Sequence, residues 1–267
     1  GSKRLPGKVL KTIEGKPLIE ILFYRLSRSK AINTIILATS EHSENDVLAT
    51  TVEKMGYDVF RGSEDDVLDR YYHAAIKYRS DIIVRITGDC PIIDPQVVDG
   101  VVDCFITNDV DYASNVDPPT YPDGLDVEAF SFSALENAHA NATSFFDREH
   151  VTPFIRDHGN FKKKNLTYST NVSKERWTVD TVQDFEVVQN ICRYFSPNLD
   201  FNLEDVLSLK ANQPILFDAN LGTMRNEGIK FSSGNKLWIR AKKIIPGGNM
   251  LLSKRPEMFL PELWPTY

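Results

Sequence analysis

Cysteine is scarce in this sequence, and the few cysteines present form no pattern that binds metal or makes disulfides. Cys90, Cys104 and Cys192 are spread over a chain of 267 residues. An odd and scattered set argues against a disulfide framework and favours a reducing compartment, so we expect a cytoplasmic protein. Long apolar runs are missing as well. None approaches the roughly 20 residues that a membrane helix needs, so the sequence predicts no membrane contact.

An excess of positive charge is also missing. The formal net charge is -6 at pH 7, with 31 basic and 37 acidic residues. Proteins that bind duplex nucleic acid broadly need a basic face to neutralise phosphates. The charge balance therefore argues against a nucleic-acid partner and favours a small ligand.

What the sequence does contain is a regular alternation of helix-type and strand-type patterns. Hydrophobic residues make up 42% of the chain and charged residues 25%, which is typical of a globular protein with a sizeable core. Apolar spacing predicts helix 17–26, strand 33–39, helix 43–55, strand 57–60, helix 65–78 and strand 81–87. Strands separated by single helices predict βαβ units, hence an α/β fold whose mostly parallel sheet is flanked by helices.

The first eight residues, Gly1-Ser-Lys-Arg-Leu-Pro-Gly-Lys8, form a basic loop. Small residues such as Gly1 and Ser2 let backbone amides approach an anion, and Arg4 and Lys8 add positive charge. This combination suits a polyphosphate. A basic N-terminal octapeptide is also typical of a disordered end or an expression remnant.

Two aspartates directly follow predicted strands. Asp89 comes after strand 81–87, beside Gly88, where a glycine lets backbone or ligand approach closely, and Asp180 follows the short extended run 176–179. Ligands of open α/β sheets bind beyond the carboxyl ends of strands, and Mg²⁺ prefers one or two carboxylates with water and phosphate oxygens. The pair predicts a magnesium–nucleotide site. The alternative is that each aspartate only caps a turn or the next helix.

Several motifs, in consistent order and at sensible spacing, resemble those of the cytidylyltransferases that activate acidic sugars. The resemblance spans about residues 1 to 225 and is carried by the stretches 1–8, 62–71, 85–94, 121–128, 147–153 and 176–181. It points to the spore coat polysaccharide biosynthesis branch, which is related to 3-deoxy-manno-octulosonate and acylneuraminate cytidylyltransferases. The resemblance implies a Rossmann-like fold of the nucleotide-diphospho-sugar transferase type, also described as GT-A-like.

The resemblance also implies an activity. Such an enzyme transfers CMP from CTP to an acidic sugar or related acceptor and releases pyrophosphate, in the synthesis of cell-surface polysaccharide precursors. By matching positions, Lys8, Asp89 and Asp180 would be catalytic, with Arg4 and Lys8 on the triphosphate and both aspartates on Mg²⁺. The chemistry needs alignment and charge neutralisation, so no enzyme nucleophile is expected. The family also suggests a homodimer.

The stretch 62–71 matches a family loop near the nucleotide base and ribose. Ser63 and Arg70 are therefore candidates for nucleotide contacts. The alternative is purely structural, with Ser63 capping a helix whose first turn carries three acidic residues, where the helix dipole favours negative charge.

Three acidic residues follow a proline-rich loop, 117–122, of the kind that often forms a substrate lid. Asp123 begins a turn, and Asp126 and Glu128 alternate on a predicted strand, so that both face one side. We predict that they bind acceptor hydroxyls. A solvated surface pair is the alternative.

Arg85 and His150 complete the candidate acceptor site. Arg85 lies within a predicted buried strand, where a charge needs a partner; a carboxylate of the protein or an acceptor phosphate or carboxylate would serve. His150 lies in a helix-like run, 147–157, that the resemblance places at the acceptor pocket. An ordinary packed or surface histidine is the alternative.

The two ends of the sequence shape the domain prediction. Family members have a hydrophobic strand before the basic loop, so we expect the first strand to be missing here. We assign residues 1–228 to the cytidylyltransferase-like domain and 229–235 to a linker. Residues 236–267, mainly through Ile-Pro-Gly-Gly, resemble the start of a class III aminotransferase of the glutamate-1-semialdehyde type; a C-terminal amphipathic helix is the alternative. Pyridoxal phosphate would belong only to a longer fusion protein.

Two other functions fit the same patterns. A nucleotide-sugar glycosyltransferase of related fold also uses acidic residues and a metal, but it needs the basic loop less than a triphosphate enzyme does. A catalytically silent nucleotide-binding module is the second, favoured by the missing strand.

Overall fold

The computed structural model describes residues 4–157, 160–223 and 225. The chain divides into two units, Gly1–Leu221 and Gly222–Tyr267, and nearly all described residues belong to the first. Gly1, Ser2, the predicted linker 229–235 and the aminotransferase-like segment 236–267 lie outside the described residues.

The first unit alternates helices and strands along most of its length. Its strands are β1 (Thr12–Ile13), β2 (Lys16–Pro17), β3 (Ile36–Ser40), β4 (Asp58–Gly62), β5 (Ile82–Arg85), β6 (Tyr112–Ser114), β7 (Glu128–Ser131) and β8 (Lys163–Asn165). Its helices are α1 (Leu18–Leu26), α2 (Asp46–Lys54), α3 (Val67–Tyr78), α4 (Pro95–Thr107), α5 (Phe132–Asn141), α6 (Phe145–His150), α7 (Pro153–Asp157), α8 (Val182–Phe195) and α9 (Leu203–Asn212). Short 3-10 turns cover Lys8–Leu10, Ser43–Asn45 and Pro214–Asn220. The predicted α/β fold is confirmed.

Local capping explains where several helices begin. Asp66 caps α3 by accepting a hydrogen bond from the Asp69 amide, and Asp94 caps α4, whose first residue is a proline. Such side chains satisfy amides that a helix leaves unpaired at its N-terminus. Ser63, for which capping was the structural alternative, accepts from the Asp66 amide at 3.0 Å one turn before α3, whereas Asp66 is the cap residue itself.

The sheet is mixed. The prediction of parallel pairing is confirmed for β3 with β4, and β6 also pairs in parallel with β8. Strand β7, however, runs antiparallel between β5 and β6. A parallel pair needs a crossover connection, whereas the segment between β6 and β7 contains no helix, so these two strands pair antiparallel.

Two predicted elements differ in detail. The run 176–179 forms only an isolated bridge from Arg176 to Asp123, so the predicted strand is wrong there. The helix-like run 147–157 is divided into α6 and α7 at Val151, whose φ of 72° is incompatible with a continuous right-handed helix.

A main core and a smaller one lie in the first unit. The main core joins apolar faces of α1, α4, α8 and α9, and the smaller one joins α3, α5 and α7 with β6 and β7. Arg25, 1% exposed, crosses the main core and donates to the carbonyl oxygens of Ile93 and Phe201 at 2.7 and 2.8 Å, and to that of Leu199. Its burial is tolerated because these acceptors replace water.

Among the described residues, the helices are all too short or too polar to cross a bilayer.

Candidate active site

The backbone segment 175–179 passes between two loops and ties them together. The Trp177 amide donates to the Asp123 carbonyl oxygen at 2.6 Å, and the Val179 amide donates to the Asp89 carbonyl oxygen at 2.8 Å. This passage leaves no room beside Gly124, because a Cβ built there would lie 2.5 Å from the Thr178 nitrogen. Gly124 also has a φ of 108°, which side chains rarely adopt. These contacts bring Asp89 and Asp180 to one place.

Lys8 lies between the two predicted metal ligands. Its Nζ is 2.9 Å from Asp89 Oδ2 and 2.8 Å from Asp180 Oδ1, and its side chain is 12% exposed. Burial by itself lowers the pKa of Lys8, but attraction to the two carboxylates outweighs it and raises the pKa above its usual value. Lys8 is therefore charged over the physiological pH range.

Asp180 receives three cationic groups. Besides Lys8, Arg4 reaches its Oδ2 at 2.9 Å, and Arg176 reaches the same oxygen at 2.9 Å. Burial raises the pKa of Asp180, but the charge and hydrogen bond of Lys8, followed by Arg4 and Arg176, lower it below its usual value. The Arg4 side chain is 40% exposed, so part of this positive charge faces solvent.

Arg176 is the residue that links the acidic groups. Its guanidinium pairs with Asp123 at 2.5 Å, with Asp180 at 2.9 Å and with Asp184 at 2.9 Å, while its side chain is only 5% exposed. Burial lowers its pKa, but these hydrogen bonds and charges outweigh that effect and raise the pKa. The forked donors of arginine suit such a multiple contact, which a lysine could not make.

Asp184 anchors the other side of Arg176. It is fully buried and belongs to a reciprocal cap of α8: Thr181 accepts from the Asp184 amide, and Asp184 Oδ2 accepts from the Thr181 amide. The Asn220 amide group donates to Asp184 Oδ1 at 3.0 Å. Sequence reasoning missed Arg176 and Asp184 as site residues. The Thr181-x-x-Asp184 spacing was the available signal, since it matches a capping box.

The turn after β5 orients Asp89. The Thr87 hydroxyl donates to Asp89 Oδ1 at 2.5 Å, which leaves Oδ2 facing Lys8. Gly88 lies in this turn, and a Cβ there would make an ordinary 3.4 Å contact with Val9. The neighbouring Cys90 is buried, and burial, with the charges of Asp89 and Asp126, raises the pKa of its thiol well above the usual value. Cys90 is therefore a neutral thiol and not a nucleophile.

Asp89 and Asp180 fit a divalent cation by the chemistry of their donors. One oxygen from each carboxylate already converges on a single positive centre, the Lys8 ammonium. One or two carboxylates are the protein ligands that Mg²⁺ prefers.

The predicted nucleotide-binding pair lies at the start of α3, with Ser63 in the loop before the helix and Arg70 within its first turns. Arg70 donates to the Ser63 carbonyl oxygen at 2.5 Å, so the two residues do lie together. Among the described residues, the buried Arg70 Nε finds no hydrogen-bond acceptor. Burial lowers the pKa of Arg70. A buried donor without an acceptor is unfavourable, so a ligand oxygen that reached this nitrogen would be stabilising.

Arg85 and Glu128 form a separate buried pair. Arg85 NH1 lies 2.5 Å from Glu128 Oε2, and Glu128 Oε1 accepts from Tyr112 at 2.6 Å and from Thr152 at 2.7 Å. Burial raises the pKa of Glu128, but Arg85 and these hydrogen bonds outweigh it and lower the pKa. The carboxylate partner considered for Arg85 is thus Glu128.

The predicted acceptor residues are therefore divided between two places. Asp123 contacts Arg176, and Asp126, which precedes β7, lies near enough to Cys90 for its charge to act on that thiol. The expectation that Asp126 and Glu128 share one face of a strand is wrong, because β7 begins only at Glu128, whose carboxylate is buried.

His150 belongs to the Arg85 side. It ends α6, and its Nε2 is 3.9 Å from Glu149. Burial lowers its pKa; Glu149 opposes this effect, whereas the charges of Arg85 and Arg156 add to it. His150 is accordingly neutral at pH 7.

The α/β fold brings a basic loop and two carboxylates together, and comparison with known proteins identifies the family. A family model described as cytidylyltransferase matches residues 1–217. The chain belongs to the cytidylyltransferase family. The match ends before the aminotransferase-like segment 236–267, which stays a prediction.

Relatives and solved structures agree with this assignment. An uncharacterised protein of Methanocaldococcus jannaschii is 40% identical over 198 residues, covering 73% of this chain and 80% of the relative. The spore coat polysaccharide biosynthesis protein SpsF of Bacillus subtilis is 29% identical over 221 residues, covering 80% and 91%. A cytidylyltransferase structure from Leptospira borgpetersenii serovar Hardjo-bovis has a TM-score of 0.79 at 31% identity, covering 85% of this chain and 95% of that one. The expected homodimer and cytoplasmic location stay predictions.

Proposed function

We propose that this protein transfers CMP from CTP to a sugar-type acceptor and releases pyrophosphate. The observation that carries the proposal is the position of Lys8, whose ammonium lies between Asp89 and Asp180 and beside the exposed Arg4. The relatives support the same reaction, since the matching family is that of cytidylyltransferases and one relative is named for polysaccharide biosynthesis.

Lys8 and Arg4 would bind the triphosphate of CTP. Phosphate oxygens carry more negative charge than the carboxylates that these cations now contact, so both side chains would move onto the nucleotide when it binds. The carboxylate oxygens released in this way would hold Mg²⁺, which would neutralise charge on the phosphates. Asp89 and Asp180 would be these ligands.

In the reaction, an acceptor oxygen attacks the α-phosphorus of CTP. A new oxygen–phosphorus bond forms, the bond from the α-phosphorus to the bridging oxygen breaks, and pyrophosphate leaves with that electron pair, while the proton of the acceptor hydroxyl is released to water. Lys8 and Arg4 would stabilise the negative charge on the phosphates during transfer. Arg176 would keep Asp180 fixed during this step, because it also contacts the buried Asp184.

The acceptor would bind on the Asp123 and Asp126 side of the cluster. Glu128 is better explained as the partner that holds Arg85 in place, since its oxygens already accept three hydrogen-bond donors. Arg70, with its unused Nε, is the residue we assign to an oxygen of the nucleoside.

The test is pyrophosphate release by the full chain with CTP, UTP, ATP or GTP and a panel of acidic and neutral sugars. We expect CTP-selective release that stops when the metal is chelated and when Asp89 is changed to asparagine. Asp58→Asn is the matched control, because Asp58 is an exposed residue at the start of β4. CTP binding should be measured in parallel by calorimetry.

Other results would overturn the proposal in distinct ways. CTP binding without pyrophosphate release, whichever acceptor is present, would favour the silent nucleotide-binding module. Hydrolysis of a nucleotide sugar, or transfer of its sugar, without pyrophosphate release from CTP would favour the glycosyltransferase.

A further inference from the structure

Two histidines and an aspartate lie together on the paired helices α3 and α5. Asp69 and His73 are one turn apart on α3, and His139 lies in the last turn of α5. His139 Nε2 is 2.9 Å from Asp69 Oδ1, and His73 Nδ1 is 3.3 Å from the same oxygen. One ligand atom from each of the three residues lies within 4.8 Å of the other two.

These separations match those of a transition-metal site. Nitrogen and oxygen ligands bind tetrahedral Zn²⁺ at about 2.0–2.1 Å, which places the ligand atoms about 3.4 Å from one another. The two distances to Asp69, 2.9 and 3.3 Å, are close to that value, and no pair of ligand atoms is more than 4.8 Å apart, so shifts of about 1.5 Å or less would complete the geometry.

We propose that Asp69, His73 and His139 bind a divalent transition-metal ion, with Zn²⁺ the expected one. Imidazole nitrogens suit zinc, nickel and copper, whereas Mg²⁺ takes oxygen ligands and would not compete for this site. The His73 side chain is 52% exposed, so water would complete the coordination from the solvent side. The cluster is formed by residues that the proposed transfer reaction does not use.

The neighbours of His139 hold its ring in a fixed orientation. Tyr72 stacks on the imidazole with ring centres 4.1 Å apart and planes inclined by 12°. Arg148 donates to the His139 carbonyl oxygen at 3.1 Å. His73 Nδ1 also lies 3.0 Å from the Asp69 carbonyl oxygen, so metal binding through this nitrogen would replace a proton that hydrogen-bonds there.

The expected consequence is a clamp between the two helices. Helix α3 begins at the loop that carries Ser63, and Arg70 follows Asp69 directly in its first turns. An ion shared by α3 and α5 would restrict the movement of α3 and so help to fix Arg70. The simpler explanation is a plain hydrogen bond between Asp69 and His139 that joins the helices without a metal.

Zinc binding to the full, metal-stripped chain distinguishes these explanations. Equilibrium dialysis with excess Mg²⁺ saturates carboxylate sites, and bound Zn²⁺ is then counted by elemental analysis. We expect one specifically bound Zn²⁺ per chain, lost in His139→Gln and in His73→Ala. His42→Ala is the matched control, because His42 is exposed and lies on the loop after β3, outside the cluster.

Thermal unfolding gives a second measurement that does not depend on enzyme activity. Zn²⁺ at about a hundredfold over its dissociation constant should raise the melting temperature by about 5–10 °C. The rise should be absent in His139→Gln, which keeps a polar group of similar size, and present in His42→Ala.

Visible absorption of the Co²⁺-substituted chain reports the ligands directly. Bands of a low-symmetry site that vanish in His73→Ala would support the proposal. Equal Zn²⁺ binding by wild type, His139→Gln and His42→Ala would overturn it, and so would the lack of any zinc-dependent stabilisation in the folded wild type.

Discussion

Replacing Lys8 by methionine removes the positive charge between Asp89 and Asp180 while keeping a side chain of similar length. In the unliganded protein this leaves two carboxylate oxygens, each formerly within 2.9 Å of the ammonium, facing one another. Asp180 keeps Arg4 and Arg176, and Asp89 keeps the Thr87 hydroxyl. The site therefore survives, but with repulsion in place of attraction.

Two effects of different size should follow. The free energy of unfolding should fall by about 1–3 kcal/mol, because a largely buried pair loses one partner while other donors still compensate the carboxylates. The kcat/KM for CTP should fall by about 10²–10³-fold, because a fixed cation that stabilises phosphate charge in a water-poor site contributes that much to rate. The loss of activity should thus be larger than the loss of stability can explain.

The assays are urea denaturation and pyrophosphate release at saturating acceptor. Lys30→Met is the matched control, since Lys30 is an exposed lysine remote in sequence from the acidic cluster, and it should leave both quantities nearly unchanged. Lys8→Arg should recover part of the activity, because the charge returns in a broader, forked form.

One result would refute the reasoning about Lys8. If the folded Lys8→Met protein kept kcat/KM within about threefold of wild type, a difference of less than about 1 kcal/mol in transition-state stabilisation, the ammonium would not act on the phosphates.

Two further predictions concern stability. In urea titrations, Gly124→Ala should lower the free energy of unfolding by more than about 2 kcal/mol, because its Cβ would lie 2.5 Å from the Thr178 nitrogen. Gly56→Ala is the control: Gly56 also has a positive φ but open space around it, so its substitution should cost only about 1 kcal/mol. Asp184 has a folded-state pKa below its unfolded value of about 3.9, so it contributes stability above that pH and loses it as the pH falls through the folded pKa. Asp184→Asn should therefore be less stable than wild type at pH 7, with the two unfolding curves converging below about pH 4; parallel curves from pH 7 to 3 would contradict the assigned interaction with Arg176.

Local sequence signals predicted much of the fold. Helices at 17–26, 43–55 and 65–78 correspond to α1, α2 and α3, and the strand at 33–39 overlaps β3. These elements depend on apolar periodicity and capping within a few residues, which sequence displays directly. A strand was predicted around Glu128, but the antiparallel pairing of β7 was not, because strand pairing depends on the path of the chain and not on the pattern of one strand.

The sequence predicted the residues that meet in the candidate site, but not the arginine that holds their carboxylates in place. Arg4, Lys8, Asp89 and Asp180 do meet, although the strand predicted to precede Asp180 is absent. Arg176 was missed, since nothing local in a short apolar run reveals that its guanidinium will contact three separate aspartates.

The sequence by itself determined the α/β class, the family motifs and the residue types that suit a phosphate and a cation. These follow from composition, spacing and short motifs, each confined to neighbouring residues. Only the tertiary structure decided which charges pair: Lys8 reaches partners 81 and 172 residues away, Arg85 takes Glu128, and Asp69 meets His139 from another helix. These pairs join residues that are distant in sequence, so they depend on the path of the folded chain. Burial makes the pairing necessary, because an unpaired charge inside the protein is costly.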